Sequence, residues 1–196
     1  MSRLFLLIVV FLIVSCTNNL DRKDYLKWSK DYSHNIHKKK TVNHIFFDLQ
    51  YKSSEYMAIS ENMEKEKIGE QDIRAYDDLQ NFELNIGAED KSKDILEYGL
   101  ENKAQIDKRL YYLSFPIQKD LLLIEGKDTL HCVMYHFLRS YDISKKRTLF
   151  ISFEKSKGNK GPKTFIFNSD EFETGPVKIA FEEKDLNELA KIKLAK

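Results

Sequence analysis

Two cysteines, three prolines, seven glycines and one tryptophan are all that this 196-residue chain holds of those types. With so few cysteines, stability has to come from a buried core and not from a disulfide framework. The scarcity of proline and glycine argues against low-complexity linkers and a second, tethered domain. Charge of one sign is lacking too: 32 basic residues face 31 acidic ones, so no overall field draws the chain to nucleic acid. No apolar run is long enough to cross a bilayer. The longest, Leu4 to Val14, has 11 residues and as a helix spans about 17 Å, against a hydrocarbon core of roughly 30 Å. GxSxG, HExxH, GxxxxGK[ST] and GxGxxG are all missing, and "GNKGPK" has neither the spacing nor the preceding strand of a phosphate loop. What is present is globular in kind, 42% hydrophobic and 32% charged, and long enough for one core of ordinary size.

The short apolar run has the length of a signal-peptide core, and Arg3 before it supplies the positive start. It ends on Ile13–Val14–Ser15–Cys16, which resembles the lipobox of bacterial lipoproteins: an aliphatic residue, a branched or small one, a small one, then cysteine. The resemblance covers residues 1–16 and implies diacylglycerol transfer to the Cys16 sulfur, cleavage after Ser15 and acylation of the new amino group. Two or three acyl chains, at about 0.8 kcal/mol per buried CH₂, make such an anchor lasting. Membrane attachment through Cys16 is therefore expected, with residues 1–15 as signal peptide, 16–24 as a polar tether and 25–196 as a single globular domain. Asp21 and Asp24 are too scattered to match the acidic export runs of surface-displayed lipoproteins, so a periplasm-facing position is expected, with surface display left open. Thr17 in place of aspartate favours the outer over the inner membrane where enteric-type sorting applies. With Cys16 lipidated, Cys132 stands alone.

Along the mature chain, Trp28 and Tyr32 suggest a weak helix, followed by a basic loop over His37–Lys40. Ile45, Phe47, Leu49 and Tyr51 alternate with polar neighbours as a strand does. Ser53 and Ser54 can cap a helix through Tyr56–Met63, and Glu61 to Arg74 reads as charged and exposed. Phe82, Leu84 and Ile86 give a second strand. Ser92 opens a helical segment with Leu96, Leu100 and Ala104 on one stripe. Leu110–Phe115 looks strand-like and stops at Pro116. Leu121–Ile124 and Thr129–Tyr141 read as a hairpin, and Leu149–Phe153, Thr164–Phe167 and Val177–Phe181 as strands. Asp185 begins a short terminal helix. Short turns between neighbouring strands favour antiparallel pairing. The fold class is α+β, a mostly antiparallel sheet or sandwich-like domain with a few short helices.

One cluster carries metal-ligand types close together, "LHCVMYHFLR" at residues 130–139. On a regular strand Cys132 and His136 face the same way about 13 Å apart, and His131 faces the other way, so no two of them reach one ion. The segment reads as a central strand with a satisfied histidine and an inert thiol. His34, His37 and His44 fall among lysines and read as part of a solvated basic loop. The basic sets Lys38–Lys40, Lys145–Arg147 and Lys155–Lys163 could line one face toward anionic head groups or glycans, though each also reads as a solvated turn. No catalytic, cofactor or metal residue is assigned; the one site residue is Cys16. The reading that follows is an envelope lipoprotein acting by binding a protein or envelope polymer, with no nucleic-acid partner. A lipid-anchored hydrolase using His136 or His131 is the alternative, and a tethered immunity or inhibitor protein the third.

Overall fold

The computed structural model describes residues 19–139, 144–156 and 161–194. Cys16 and the lipobox lie outside the described residues. In chain order the elements are β1 (Asn19–Leu20), α1 (Arg22–Ser29), β2 (His37–Val42), β3 (Ile45–Lys52), α2 (Ser54–Glu61), α3 (Glu70–Arg74) and β4 (Leu79–Ala88). There follow α4 (Lys103–Ser114), β5 (Leu121–Glu125), β6 (Asp128–Leu138), β7 (Arg147–Glu154), β8 (Lys163–Phe167), β9 (Val177–Phe181), α5 (Glu183–Asn187) and β10 (Lys191–Ile192). The domain is α+β and dominated by one sheet.

That sheet has eight strands in the order β2-β3-β4-β7-β6-β5-β8-β9, every neighbouring pair antiparallel. Strands β5, β6 and β7 follow one another as neighbours, and β8 returns beside β5, which is the Greek-key arrangement. The two edges of the sheet nearly meet. Lys40 Nζ donates to the Lys178 carbonyl at 3.2 Å, and Lys38 Nζ lies 3.5 Å from Asp185 just beyond β9. Side chains bridge the seam where a closed barrel would have a ladder.

Alternation decides which face is inside. Phe47, Phe82, Phe153, Phe165, Phe167 and Phe181 are each 1% exposed or less and pack together with Leu49, Leu84, Leu123 and Ile151. The interior is a packed core and not a ligand chamber, as in small barrels whose walls are just wide enough for side chains. Ile95, Leu113 and Ile117 join the same core from the segment around α4. A second, smaller cluster of Tyr25, Ala58, Ile59, Ile68 and Ile192 holds α1, α2 and the β1–β10 pair together.

Several sequence expectations change here. His37–Lys40 is not a loop but most of β2, an edge strand whose lysines discourage pairing with other chains. Leu110–Phe115 is not a strand. It is the end of α4, started by an Asn102–Gln105 capping box and burying Arg109, Tyr112 and Leu113 along one side. The segment opened by Ser92 forms turns instead of a helix, because the Asp94 carboxylate accepts from the Leu96 amide and pairs with Arg147, and Gly99 turns the chain at φ 74°. Residues 19–24, grouped with the tether, already contribute β1 and the start of α1, where the Arg22 guanidinium bonds the Ile59 and Asn62 carbonyls. The helix capped by Ser53 and the strands at β3, β4, β5, β7, β8 and β9 stand as expected.

Candidate functional site

With the interior filled, binding features belong to the outer wall. Outward residues on adjacent strands form rows. Lys52, Asn81, Ser152 and Met134 make one; Gln50, Glu83, Phe150 and His136 make the next; Asp48, Asn85, Thr148 and Leu138 make a third. On the β3–β4–β7 side the rows are polar and bonded to one another. Ser152 Oγ donates to Asn81 Oδ1 at 2.7 Å, Thr148 Oγ1 to Asn85 Oδ1 at 2.7 Å, and Asn85 Nδ2 to Glu83 Oε1 at 3.1 Å. Toward β6 the rows turn apolar and exposed: Met134 is 56% accessible and Phe150 41%.

The apolar end of the wall exists because β6 carries a bulge. Cys132 pairs with Phe153 and Met134 with the adjacent Ser152, so Val133 is an extra residue and the alternation changes phase there. Before the bulge Cys132 faces the core; after it Phe137 does, and Met134 and His136 are turned to solvent. The expectation that Cys132 and His136 share a face is therefore overturned. So is the expectation of a satisfied histidine, since the His136 ring makes no hydrogen bond to a described residue. Burial raises the Cys132 thiol to about 11, against the lesser pull of hydrogen bonds from the Ser152 and Met134 backbone, and its Sγ donates to the Met134 carbonyl. It is a protonated, inert thiol at neutral pH. His131 is exposed, and among the described residues no group of three or more histidine, cysteine or carboxylate side chains is placed to hold a metal ion.

Between this apolar edge and α2 runs a groove of about 470 Å³. Tyr56, Met57 and Ser60 of α2 form one wall, and Met134, His136 and Phe150 the other. Lys52 lies at its base, 3% exposed, with Nζ 2.8 Å from Glu83 Oε2, 2.7 Å from Gln50 Oε1 and 3.9 Å from the centre of the Tyr56 ring. A buried ammonium is costly unless each of its donors is satisfied, and here a carboxylate, an amide oxygen and a π face share it. Burial alone would raise Glu83, but Lys52 outweighs it and holds the carboxyl below its usual range. Glu83 is thus a fixed, ion-paired carboxylate. The groove offers apolar walls, a satisfied polar floor and one unpartnered imidazole at the rim.

The other histidines are scattered. His34 packs against Trp28, tilted, with ring centroids 4.7 Å apart, and His44 pairs with Glu89 in an exposed turn. His37 is the structured one. Its Nδ1 meets the Lys30 carbonyl at 3.0 Å and its Nε2 meets Asp48 Oδ1 at 2.8 Å. Both partners only accept, so both ring nitrogens must donate, which only the imidazolium does. Burial pulls the His37 pKa down, but the bonds to Asp48 and Lys30 outweigh it and leave it above 6.5. For Asp48, burial is the largest influence and pulls upward; bonds from His37 and Tyr32 outweigh it and leave the carboxyl below 3.8. The sign follows for each. His37 contributes stability that is complete below pH 6.5 and lost as pH rises through its raised value, whereas the contribution of Asp48 is lost as pH falls through its lowered one. Denaturant melts at pH 6 and pH 9 should therefore show a loss at the higher pH that His37→Gln abolishes. An equal loss in parent and variant would refute this assignment.

Sequence reading found His136 and the basic sets but not the groove, whose walls come from residues 52–60, 81–83, 134–136 and 150–152. No protein-family model, no curated protein and no solved structure matches this chain.

Proposed function

We propose that this chain is an envelope lipoprotein, anchored through Cys16 on the periplasmic face of a bacterial outer membrane, whose domain works by binding a protein partner. The groove between α2 and β6 takes an apolar anchor side chain from that partner. The observation that carries the reading is the exposed Met134–Phe150 edge beside a cleft with apolar walls, produced by a bulge that turns Met134 outward. Bulges that re-aim side chains are a recurrent feature of sites. Methionines such as Met57 and Met134 suit a surface that moulds itself to a partner.

The test uses the detergent-solubilised full chain as bait for cross-linking in native membranes. Met134→Asp with Phe150→Asp should reduce the captured partner by about tenfold or more, the usual cost of losing a central apolar anchor. A matching change at the exposed Tyr111 and Phe115 pair on α4 and its end should leave capture intact. Equal capture by parent and groove variant would overturn the reading.

The hydrolase alternative rests on one observation, an exposed His136 at the rim of the same groove. Against it, the Ser152 hydroxyl is donated to Asn81 and Glu83 is tied to Lys52. Hydrolysis of a small ester panel by the parent and not by His136→Ala would promote it over binding.

A further inference from the structure

The opposite end of the same outer wall holds a second cleft, of about 500 Å³. Lys39 on β2, Lys91 and Lys93 after β4, and Lys145 and Lys146 before β7 all line it. Two of the basic sets seen in the sequence thus converge, joined by a third that the sequence did not single out. The floor is aromatic. The Phe46 ring lies over Gly87, where any Cβ would come within 2.4 Å of Phe46 Cζ, so the glycine is what lets the ring lie there. Lys39 Nζ stands 4.3 Å above the centre of that ring.

The lining of this cleft is rich in positive charge. No ion pair joins any of these five ammonium groups to a carboxylate of the described residues. Elsewhere on the surface Lys38, Lys65, Lys108 and Lys191 each have a carboxylate partner. Among the described residues the one carboxylate lining the cleft is Asp48, already engaged by the His37 imidazolium and by the Tyr32 hydroxyl at 2.9 and 3.0 Å. Like charges around one opening repel one another to the extent that screening over a Debye length of about 8 Å allows, and an anion seated among them relieves that repulsion.

We infer that this cleft binds a compact, multiply phosphorylated small molecule, with its phosphates on the lysines and an apolar or ring face on Phe46. The ammonium group is a strongly hydrated point charge suited to phosphate oxygens. The lysines come from three separate segments and surround a concavity instead of lying along a stripe. That geometry fits a compact ligand better than a linear polymer or a flat membrane. The volume is that of ordinary small-ligand sites, roughly 300–1,000 Å³. This inference uses no residue of the α2–β6 groove and stands or falls separately from it.

The probe is inositol hexakisphosphate, titrated calorimetrically into the detergent-solubilised full chain at low salt, with inorganic phosphate and phosphatidylglycerol vesicles as the other arms. Saturable one-to-one binding of the hexakisphosphate is expected, weakening steeply with salt. Lys91→Gln with Lys145→Gln removes two exposed charges without touching the core and should weaken it by about tenfold or more, whereas Lys119→Gln with Lys127→Gln, equally exposed but remote in sequence and outside the cleft, should not. Phe46→Ala should weaken it with the charges intact. The inference is overturned if the hexakisphosphate does not saturate, if both lysine pairs matter equally, or if only the vesicles bind.

Discussion

Phe82→Ala is expected to lower the stability of the domain by about 3–5 kcal/mol and its melting temperature by roughly 10–15 °C, the largest loss from any single truncation in the core. Phe82 is 1% exposed in the middle of β4, and its ring lies 5.3 Å from Tyr51, 5.8 Å from Phe153, 5.9 Å from Phe165 and 5.9 Å from Phe181. Tyr51 and Phe153 sit on the strands paired with β4, whereas Phe165 and Phe181 come from β8 and β9, which share no ladder with it, so the ring ties the two halves of the sheet together. Truncation forfeits the transfer free energy of the ring and leaves a void that rigid strands cannot close. For a domain of ordinary stability, about 5–15 kcal/mol, this is a third or more of the total. Phe150 supplies the comparison, since it sits one strand away on β7, opposite Glu83, and faces solvent. Phe150→Ala should stay within about 0.5 kcal/mol of the parent, as surface changes do. Circular dichroism during urea titration checks both, and similar losses for the two would show that the assignment of inside and outside is wrong.

The same contrast explains how much of the architecture could be read from the chain. Strands β3, β4, β7 and β9 alternate because one face of each lies on the phenylalanine core, and a half-buried strand writes that period of two into its residues. Strand β2, "HKKKTV", has no buried side chain, so it left no such period and looked like a loop. Helix α4 was obscured by the run Leu110–Tyr111–Tyr112–Leu113, whose aromatic composition imitates a strand, although Asn102 and Gln105 marked its start. The bulge at Val133 could not be seen, because both alternating sets of β6 are largely apolar and a phase change between them alters no pattern. Neither surface site was legible as a site. Lys39 and Lys145 were visible as basic residues, but only the pairing of β4 with both β3 and β7 brings their segments to one opening.

That pairing also places the two sites on one wall. Between the cleft floored by Phe46 and the groove above Lys52 run the rows of Asp48, Asn85 and Thr148 and of Gln50, Glu83 and Phe150. Within these rows Thr148 bonds Asn85 and Asn85 bonds Glu83, while Gln50 donates to the Ser29 carbonyl and Asp48 is held by His37 and Tyr32. From Phe46 to Lys52 is six residues along β3, about 20 Å at the rise of a strand. The cleft and the groove are therefore separate openings on the same wall.

The proposed function puts the domain at a membrane, and Cys16→Ala should abolish that attachment chemistry outright. In cells fed labelled palmitate, the parent should incorporate the label and Cys16→Ala none at all. Cys132→Ser is the decisive companion, because these are the two cysteines in the chain. Cys132 is 7% exposed, faces the core inside the sheet and holds its proton to about pH 11, so it offers neither access nor a thiolate for acyl transfer. Its serine variant should therefore be labelled like the parent. One acyl chain gives only reversible membrane binding, and two or more make it lasting, so the parent should also partition fully into detergent. No described helix is long and apolar enough to substitute as a span. Label persisting in Cys16→Ala, or lost in Cys132→Ser, would remove the anchor from residue 16. The groove and the cleft would then have to be explained for a protein located somewhere other than the envelope.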